Sequence, residues 1–146
     1  MDKWDKRFLD MAALIGSWSK DPSTKVGAIL VKDKRIISTG YNGLPASIED
    51  DPKILNDRRE KYRYIIHAEE NALLQCSAHG ISSAGATLYV SPLPPCAGCM
   101  RLIIQSGIKR IVCSKPSQEH IERWKNSLDF AKKLAYNTKV KLEEID

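Results

Sequence analysis

The chain has 146 residues, 42% of them hydrophobic and 28% charged, which is typical of a globular protein with one domain, residues 1–146. It contains no apolar run of the ~20 residues that a bilayer-spanning helix needs, so we expect no membrane partner. Its net charge of +5 is mild and is spread along the chain, so we expect no nucleic-acid partner either.

The first half of the chain predicts one helix, a hairpin and a charged loop. Apolar residues recur at helical spacing in the first segment, and a nearly continuous apolar run, a polar turn and a second strand follow it. In chain order, the elements are a helix over residues 4–18, strands over residues 26–31 and 36–41, a glycine-rich loop at residues 40–45 and a charged excursion with one helical turn at residues 46–63.

The second half predicts an alternation of helices and strands. Its elements are helices over residues 66–78, 96–105 and 117–135 and strands over residues 86–90, 108–113 and 138–145. A hairpin followed by strand–helix–strand units indicates the α/β class. We therefore predict a three-layer α/β/α sandwich with a mixed five-stranded sheet and helices on both of its faces.

Two short motifs, His67-x-Glu69 and Cys96-x-x-Cys99, carry the candidate chemistry. One imidazole and two thiolates are three ligands for Zn²⁺ that leave a fourth position open, which is typical of catalytic rather than structural zinc. Glu69 lies next to this position without being a ligand, as a proton carrier would. We therefore predict one Zn²⁺ per subunit on His67, Cys96 and Cys99, with Glu69 as the catalytic acid and base.

Helix geometry limits how these motifs can meet. Cys96 and Cys99 share one face of a helix, and the two prolines just before them suit a helix start. Both sulfurs would then lie near the positive end of the helix dipole, which favours thiolates. His67 and Glu69 would point about 200° apart on a regular helix. They can converge only if His67 lies at the entry to its helix.

The cysteines also bear on the compartment. The N-terminal segment lacks the apolar core of a signal peptide, so we expect a cytoplasmic, reducing location. A Cys-x-x-Cys pair in such a location indicates metal ligands rather than a disulfide.

The order H-x-E followed by P-C-x-x-C is the signature of zinc deaminases. Beyond this signature, the chain resembles the cytidine/deoxycytidylate deaminase superfamily, and most closely its deoxycytidylate (dCMP) deaminases. The stretches that carry the resemblance are KDPSTKVGA (20–28), GYNGLP (40–45), KYRYIIHAEENA (61–72), LYV (88–90), PCAGC (95–99) and LIIQSGIK (102–109). Glu70 departs from the pattern, because the dCMP-type motif usually has an apolar residue there.

The resemblance implies hydrolytic deamination of dCMP to dUMP, with release of ammonia. It implies that Asn42 binds the sugar or base, that the Ala68 N–H meets the pyrimidine O2, and that the Pro94 carbonyl faces the departing amino group. Lys20 and Lys25 are predicted phosphate contacts, and the alternative for both is a solvated side chain.

The resemblance also implies assembly and regulation. A homo-oligomer is expected, either a hexamer or a dimer. In this family, the region around the glycine-rich loop and the charged excursion helps to bind dCTP as activator and dTTP as inhibitor, with Mg²⁺ accompanying the triphosphate. Tyr41, Gly43, Arg58 and Arg59 are the corresponding residues here. The alternative for this region is a solvated charged loop.

Two other functions compete with dCMP deamination. One is deamination of another cytosine or adenine substrate, such as a nucleoside, dCTP or adenosine in transfer RNA. The other is a catalytically silent zinc module, against which Glu69 argues because a structural site has no use for that carboxylate.

Several other residues have simpler predicted roles. Cys76 and Cys113 lack partners at ligand spacing and are predicted to be small core residues. His120 has polar neighbours and is predicted to be solvated. Trp18 and Trp124 lie on helical stripes and are predicted to be core or subunit contacts, with approach to the ligand as a further alternative for Trp124.

Overall fold

The computed structural model describes residues 2–146, which form seven helices and five strands. The helices are α1 (Lys3–Gly16), α2 (Pro52–Leu55), α3 (Arg58–Tyr64), α4 (Ala68–Ala78), α5 (Ala97–Gln105), α6 (Gln118–Arg123) and α7 (Lys125–Thr138). The strands are β1 (Gly27–Lys32), β2 (Arg35–Tyr41), β3 (Thr87–Ser91), β4 (Arg110–Ser114) and β5 (Lys141–Ile145). Within residues 2–146, no helix combines the length and the apolar character needed to cross a bilayer.

The five strands form one mixed sheet in the order β2-β1-β3-β4-β5. Strand β1 pairs antiparallel with both β2 and β3, whereas β3, β4 and β5 run parallel to one another. Parallel neighbours need a crossover between them, and α5 and α7 supply the two crossovers. The predicted mixed five-stranded sheet is confirmed.

Helices cover both faces of the sheet because side chains alternate along each buried strand. Ile29 and Val31 of β1 belong to an apolar cluster with α1, whereas Ala28 and Leu30 belong to a second cluster with α4, α5 and α7. The predicted three-layer sandwich is therefore confirmed. Cys76 and Cys113 are both buried in the second cluster, as predicted.

A polar cluster ties α1 to three strands on its face of the sheet. The buried carboxylate of Asp5 accepts hydrogen bonds from the Tyr89 hydroxyl at 2.8 Å and from the Arg110 guanidinium at 2.8 and 3.0 Å. Arg110 also reaches Glu143 of β5 at 2.6 Å. The bond from Arg110 holds the pKa of Asp5 below its usual value.

The segment 46–63 contains more helix than the single turn predicted. Helices α2 and α3 are each capped by an aspartate, Asp51 and Asp57, whose side chains accept hydrogen bonds from backbone N–H groups of the first turn. These caps satisfy donors that a helix leaves unpaired, so two short helices form where the apolar pattern is weak.

The helix predicted over residues 117–135 is two helices instead of one. Trp124, at φ −117° and ψ 24°, ends α6 and precedes α7. No proline or glycine lies at this break, so the sequence carries no breaker signal there.

Trp18 does not belong to the core, which was one of the two alternatives predicted for it. Helix α1 ends at Gly16, before the indole could join the buried stripe, and Trp18 is 56% exposed. Its ring packs edge-on against Tyr41. This exposure contradicts the core alternative for Trp18, and the subunit contact stays a prediction.

Candidate functional site

The first turns of α4 and α5 bring the two motifs together. His67 is the N-cap of α4 and has extended backbone angles (φ −72°, ψ 156°), which lets it and Glu69 converge. Cys96 is the N-cap of α5, so Pro94 and Pro95 lie just before the helix start, as predicted.

Close packing against the sheet fixes the start of α4. A Cβ atom at Gly40 of β2 would overlap the carbonyl oxygen of Ala68 and the amide nitrogen of Ala72. Only glycine therefore lets the α4 backbone approach this strand so closely.

The three ligand atoms have the spacing that zinc requires. The His67 Nδ1 atom lies 3.2 Å from the Cys99 Sγ atom and 3.6 Å from the Cys96 Sγ atom. All three atoms lie within 4.8 Å of one another. Tetrahedral Zn²⁺ with usual bond lengths would separate its nitrogen and sulfur ligands by roughly 3.6 Å. The donor set and its spacing therefore fit Zn²⁺.

The same contacts set the charges of the three ligands. Hydrogen bonds from Cys99 and from His67 lower the pKa of Cys96 to about 4, although burial opposes them. The bond to Cys96 raises the pKa of His67 to about 9. The pKa of Cys99 is raised by its hydrogen bond to Cys96 and by burial. These contacts favour the thiolate form of Cys96, which is the form that binds metal, whereas His67 must release its proton to bind.

Glu69 is buried beside this group and is only 4% exposed. Burial raises its pKa to about 7, so the carboxyl group exchanges a proton readily at neutral pH. Glu69, His67 and Cys96 line a cavity of about 430 Å³. The cavity therefore contains both a site that fits metal and a group that can transfer protons.

The rest of the cavity lining, called the far wall below, comes from other parts of the chain. It is formed by the segment 21–26, the loop at Asn42, α3 and the region where α6 meets α7. His120 and Trp124 both line it, so His120 is not simply solvated as predicted and Trp124 is not a core residue. Two arginines of this wall, Arg58 and Arg123, form no ion pair with any described residue.

Three of the predicted substrate residues line the cavity, namely Asn42, Ala68 and Pro94. The Asn42 side chain is already engaged by the protein. Its amide donates to the Thr24 carbonyl at 2.9 Å and to Asp21 Oδ2 at 3.3 Å, and its oxygen accepts from the Val26 N–H at 2.9 Å. One acceptor position on Asn42 Oδ1 is therefore left for a ligand.

Lys20 and Lys25, the predicted phosphate contacts, are exposed and do not belong to the cavity lining. Of the four predicted regulatory residues, Arg58 lines the cavity and Arg59 is exposed outside it.

The other two predicted regulatory residues use their backbones to hold the glycine-rich loop. The Tyr41 carbonyl accepts from the Asn71 side chain at 2.8 Å, and Gly43 pairs with Ile66 through two backbone hydrogen bonds. Their regulatory role stays a prediction.

Sequence reasoning gave no role to three residues that shape the site. Glu70 accepts a hydrogen bond from the His67 N–H at 3.0 Å, and its position three residues after the cap is the signal that could have revealed it. Lys61 pairs with Asp21 on the far wall at 3.0 Å. Nothing in the sequence links these two residues, which lie 40 positions apart.

A buried carboxyl group beside one imidazole and two thiolates, on an α/β/α fold, defines a zinc-dependent hydrolase of the deaminase type. The model of the family described as "Cytidine and deoxycytidylate deaminase zinc-binding region" matches residues 2–115. The chain belongs to this family.

Individual relatives agree with this assignment. The chain is 39% identical over 134 residues to an uncharacterized deaminase of Aliivibrio fischeri, covering 92% of this chain and 88% of that protein. It is 39% identical over 118 residues to the deoxycytidylate deaminase of Mus musculus, covering 75% of this chain and 64% of that protein, which is less than two thirds of the mouse enzyme.

A solved structure covers the whole fold. The dCMP deaminase of cyanophage S-TIM5 matches with a TM-score of 0.77 and 25% identity, over 99% of this chain and 100% of the phage chain. The same phage enzyme has been crystallised in complex with dCMP and dUMP.

Proposed function

We propose that this chain catalyses the hydrolytic deamination of dCMP to dUMP, with release of ammonia. The observation that carries the proposal is Glu69, a buried carboxyl group of pKa about 7 beside a His–Cys–Cys group that fits zinc. The mouse relative is named for this substrate, and the phage relative binds both dCMP and dUMP. These names support dCMP over the other cytosine compounds.

Each part of the site has a role in this reaction. Zinc, held by His67, Cys96 and Cys99, would supply the positive charge that makes water acidic near neutral pH. Glu69 accepts a proton from the attacking water and delivers it to the ring nitrogen; it then takes the second proton from the hydroxyl group added to the ring carbon and delivers it to the amino group, which leaves as ammonia as the C–N bond breaks. One carboxyl group can do both, because a pKa of about 7 makes neither direction strongly unfavourable.

We propose that the Ala68 N–H holds the pyrimidine O2 and that the Pro94 carbonyl faces the departing amino group. Both residues line the same cavity as Glu69, and each is next in the chain to, or two residues from, a residue of the metal group or Glu69. Arg123 lines the same cavity and has no carboxylate partner among the described residues, so it is the proposed phosphate contact. It is better placed for the phosphate than Lys20 and Lys25, because those two residues lie outside the cavity lining.

The test is ammonia release from cytosine, cytidine, CMP, dCMP and dCTP, assayed with the purified zinc-loaded protein. We expect dCMP to give the highest kcat/KM. Preference for cytidine, or no turnover of any compound in the panel, would contradict the proposal. Arg123→Met should raise the KM for dCMP and leave slow turnover of cytidine unchanged.

Regulation by dCTP and dTTP, with Mg²⁺, is proposed for the glycine-rich loop at residues 40–45 and the charged segment at residues 46–63. A regulator must bind two conformations of the protein unequally to shift their populations. We expect dTTP to lower dCMP turnover, and the double change Arg58→Ala and Arg59→Ala to weaken this inhibition. Unchanged kinetics at saturating dTTP would exclude the regulation and leave the deaminase activity untouched.

We propose that the chain works in the cytoplasm as a single domain, assembled into a homo-oligomer. Thiolate ligands need a reducing compartment, and all four cysteines are free. Exposed apolar side chains on α1 and at its end, including Leu14 and Trp18, support assembly. Light scattering at micromolar concentration tests it, and a monomeric mass would contradict it.

A further inference from the structure

A buried ion pair in the far wall of the cavity joins α3 to the segment 21–26. The Lys61 Nζ atom lies 3.0 Å from Asp21 Oδ1, and the two side chains are 7% and 6% exposed. Burying two charges costs hydration, and a well-packed apolar pair is often as stable or more stable. A contribution to stability is therefore a weak explanation for this pair.

Every hydrogen bond of the Asp21 carboxylate leads to a residue that lines the cavity. Asp21 Oδ1 accepts from the Ser23 N–H at 2.8 Å and the Thr24 N–H at 3.4 Å, and Oδ2 accepts from the Asn42 amide at 3.3 Å. Lys61 Nζ also donates to the Ser23 hydroxyl at 3.3 Å. All five residues belong to the lining.

Ser19 connects Asp21 and Asn42 in this network through a second pair of hydrogen bonds. Its buried hydroxyl donates to the Asn42 carbonyl at 2.7 Å and accepts from the Asp21 N–H at 3.1 Å. The network therefore joins three distant segments, namely residues 19–26, the loop at Asn42 and helix α3. None of these segments carries a metal ligand or Glu69.

We propose that the Lys61–Asp21 pair is a positioning device for substrate: it holds the segment 19–26 and the Asn42 side chain at the distance from Glu69 that a nucleotide requires. The inference rests on the proposed function. Because Lys61 and Asp21 bind neither the reacting atoms nor the metal, breaking the pair should weaken substrate binding more than it slows the chemical step.

The main test compares Lys61→Met with the double variant Asp21→Leu and Lys61→Met. Lys61→Met leaves the Asp21 charge buried and unpaired, so it should lower the Tm and raise the KM for dCMP by roughly 10- to 100-fold. The double variant removes both charges and should regain most of the Tm while the KM stays high. In both variants kcat and zinc content should stay within a few-fold of the wild type.

Two further variants complete the set. Lys61→Arg keeps a cation that can pair with Asp21, so its KM should lie between those of the wild type and Lys61→Met. Lys6→Met is the matched control, because it breaks an exposed Lys–Asp pair of 2.7 Å on α1 and should change neither the Tm nor the KM appreciably.

A second measurement needs no substrate. The backbone amides of Ser23, Thr24 and Val26 donate within this network, so hydrogen exchange across residues 19–26 should be faster in the double variant than in the wild type or Lys6→Met.

Wild-type KM in the double variant, or unchanged exchange across residues 19–26, would overturn the proposal. The proposal would also be overturned if the KM were raised in Lys61→Met but returned to the wild-type value in the double variant together with the Tm, because the pair would then have only a structural role. If the wild type deaminates another cytosine compound instead of dCMP, the proposed substrate fails, and the same comparison is made with that compound.

Discussion

The two walls of the cavity are built in different ways. The metal wall comes from two short motifs, residues 67–70 and 96–99, each lying at the start of a helix. The far wall comes from four segments that meet only in the folded chain: residues 21–26, the Asn42 loop, α3 and the α6–α7 junction. The chemistry is therefore encoded locally, whereas the surroundings of the substrate depend on tertiary contacts.

This difference explains which parts of the site the sequence could predict. His67 and Glu69 converge because His67 is an N-cap, and a spacing of two residues already requires that arrangement. The pairing of Asp21 with Lys61 has no such local constraint. It depends on how α3 packs against a segment 40 positions earlier.

The same reasoning applies to the fold. The sheet and its three layers follow from short apolar strands that are separated by amphipathic helices, which are strong local signals. The break at Trp124 has no signal in the sequence, whereas the start of α2 has one. Asp51 followed by Pro52 is a typical helix start, but the weak apolar pattern of residues 46–63 led to a prediction of only one helical turn.

The largest expected effect tests the metal wall itself. Cys99→Ser should reduce the zinc content from one per subunit to near zero, abolish turnover and lower the Tm, because the metal joins two helix starts. Metal analysis and thermal unfolding measure this. Cys76→Ser is the control, since Cys76 is a buried cysteine outside the ligand group and that variant should keep its zinc. Full zinc occupancy in Cys99→Ser would refute the ligand assignment.

The next effect separates proton transfer from metal binding on the same wall. Glu69→Ala should lower kcat by roughly 100- to 10,000-fold while zinc stays bound, because Glu69 carries protons and is not a ligand. Glu69→Gln keeps the shape of the side chain and should be equally inactive. Near wild-type turnover of dCMP in either variant would contradict the mechanism.

A smaller effect is expected at the Asp5 cluster, which lies on the opposite face of the sheet and outside both walls. Asp5→Asn should cost about 2 kcal/mol of stability at pH 7 and leave kcat and KM unchanged. The folded pKa of Asp5 is lowered, so its contribution is full above the ordinary pKa and disappears as the pH falls through the lowered value.

Urea unfolding at pH 7 and at about pH 3 tests this sign, since the ordinary pKa of an aspartate is about 4. The gap between wild type and Asp5→Asn should narrow at the acid pH. Asp10→Asn on the same helix removes only an exposed ion pair and should match the wild type at both pH values. A gap that widened in acid would mean that the Arg110 bond does not favour the charged carboxylate.

The smallest effect concerns Glu70, the residue at which the chain departs from the usual motif. Its side chain accepts the His67 N–H at 3.0 Å and so holds the backbone of a metal ligand. Glu70→Ala should cost about 1 kcal/mol, the usual value of a helix cap, and lower the Tm by roughly 3 °C. Glu70→Gln keeps an oxygen that can accept this bond and should stay close to the wild type. If Gln were as destabilising as Ala, the negative charge at the positive end of α4 would be the source of the effect instead of the hydrogen bond. That result would make Glu70 an electrostatic feature of the helix start, with no hold on the orientation of His67.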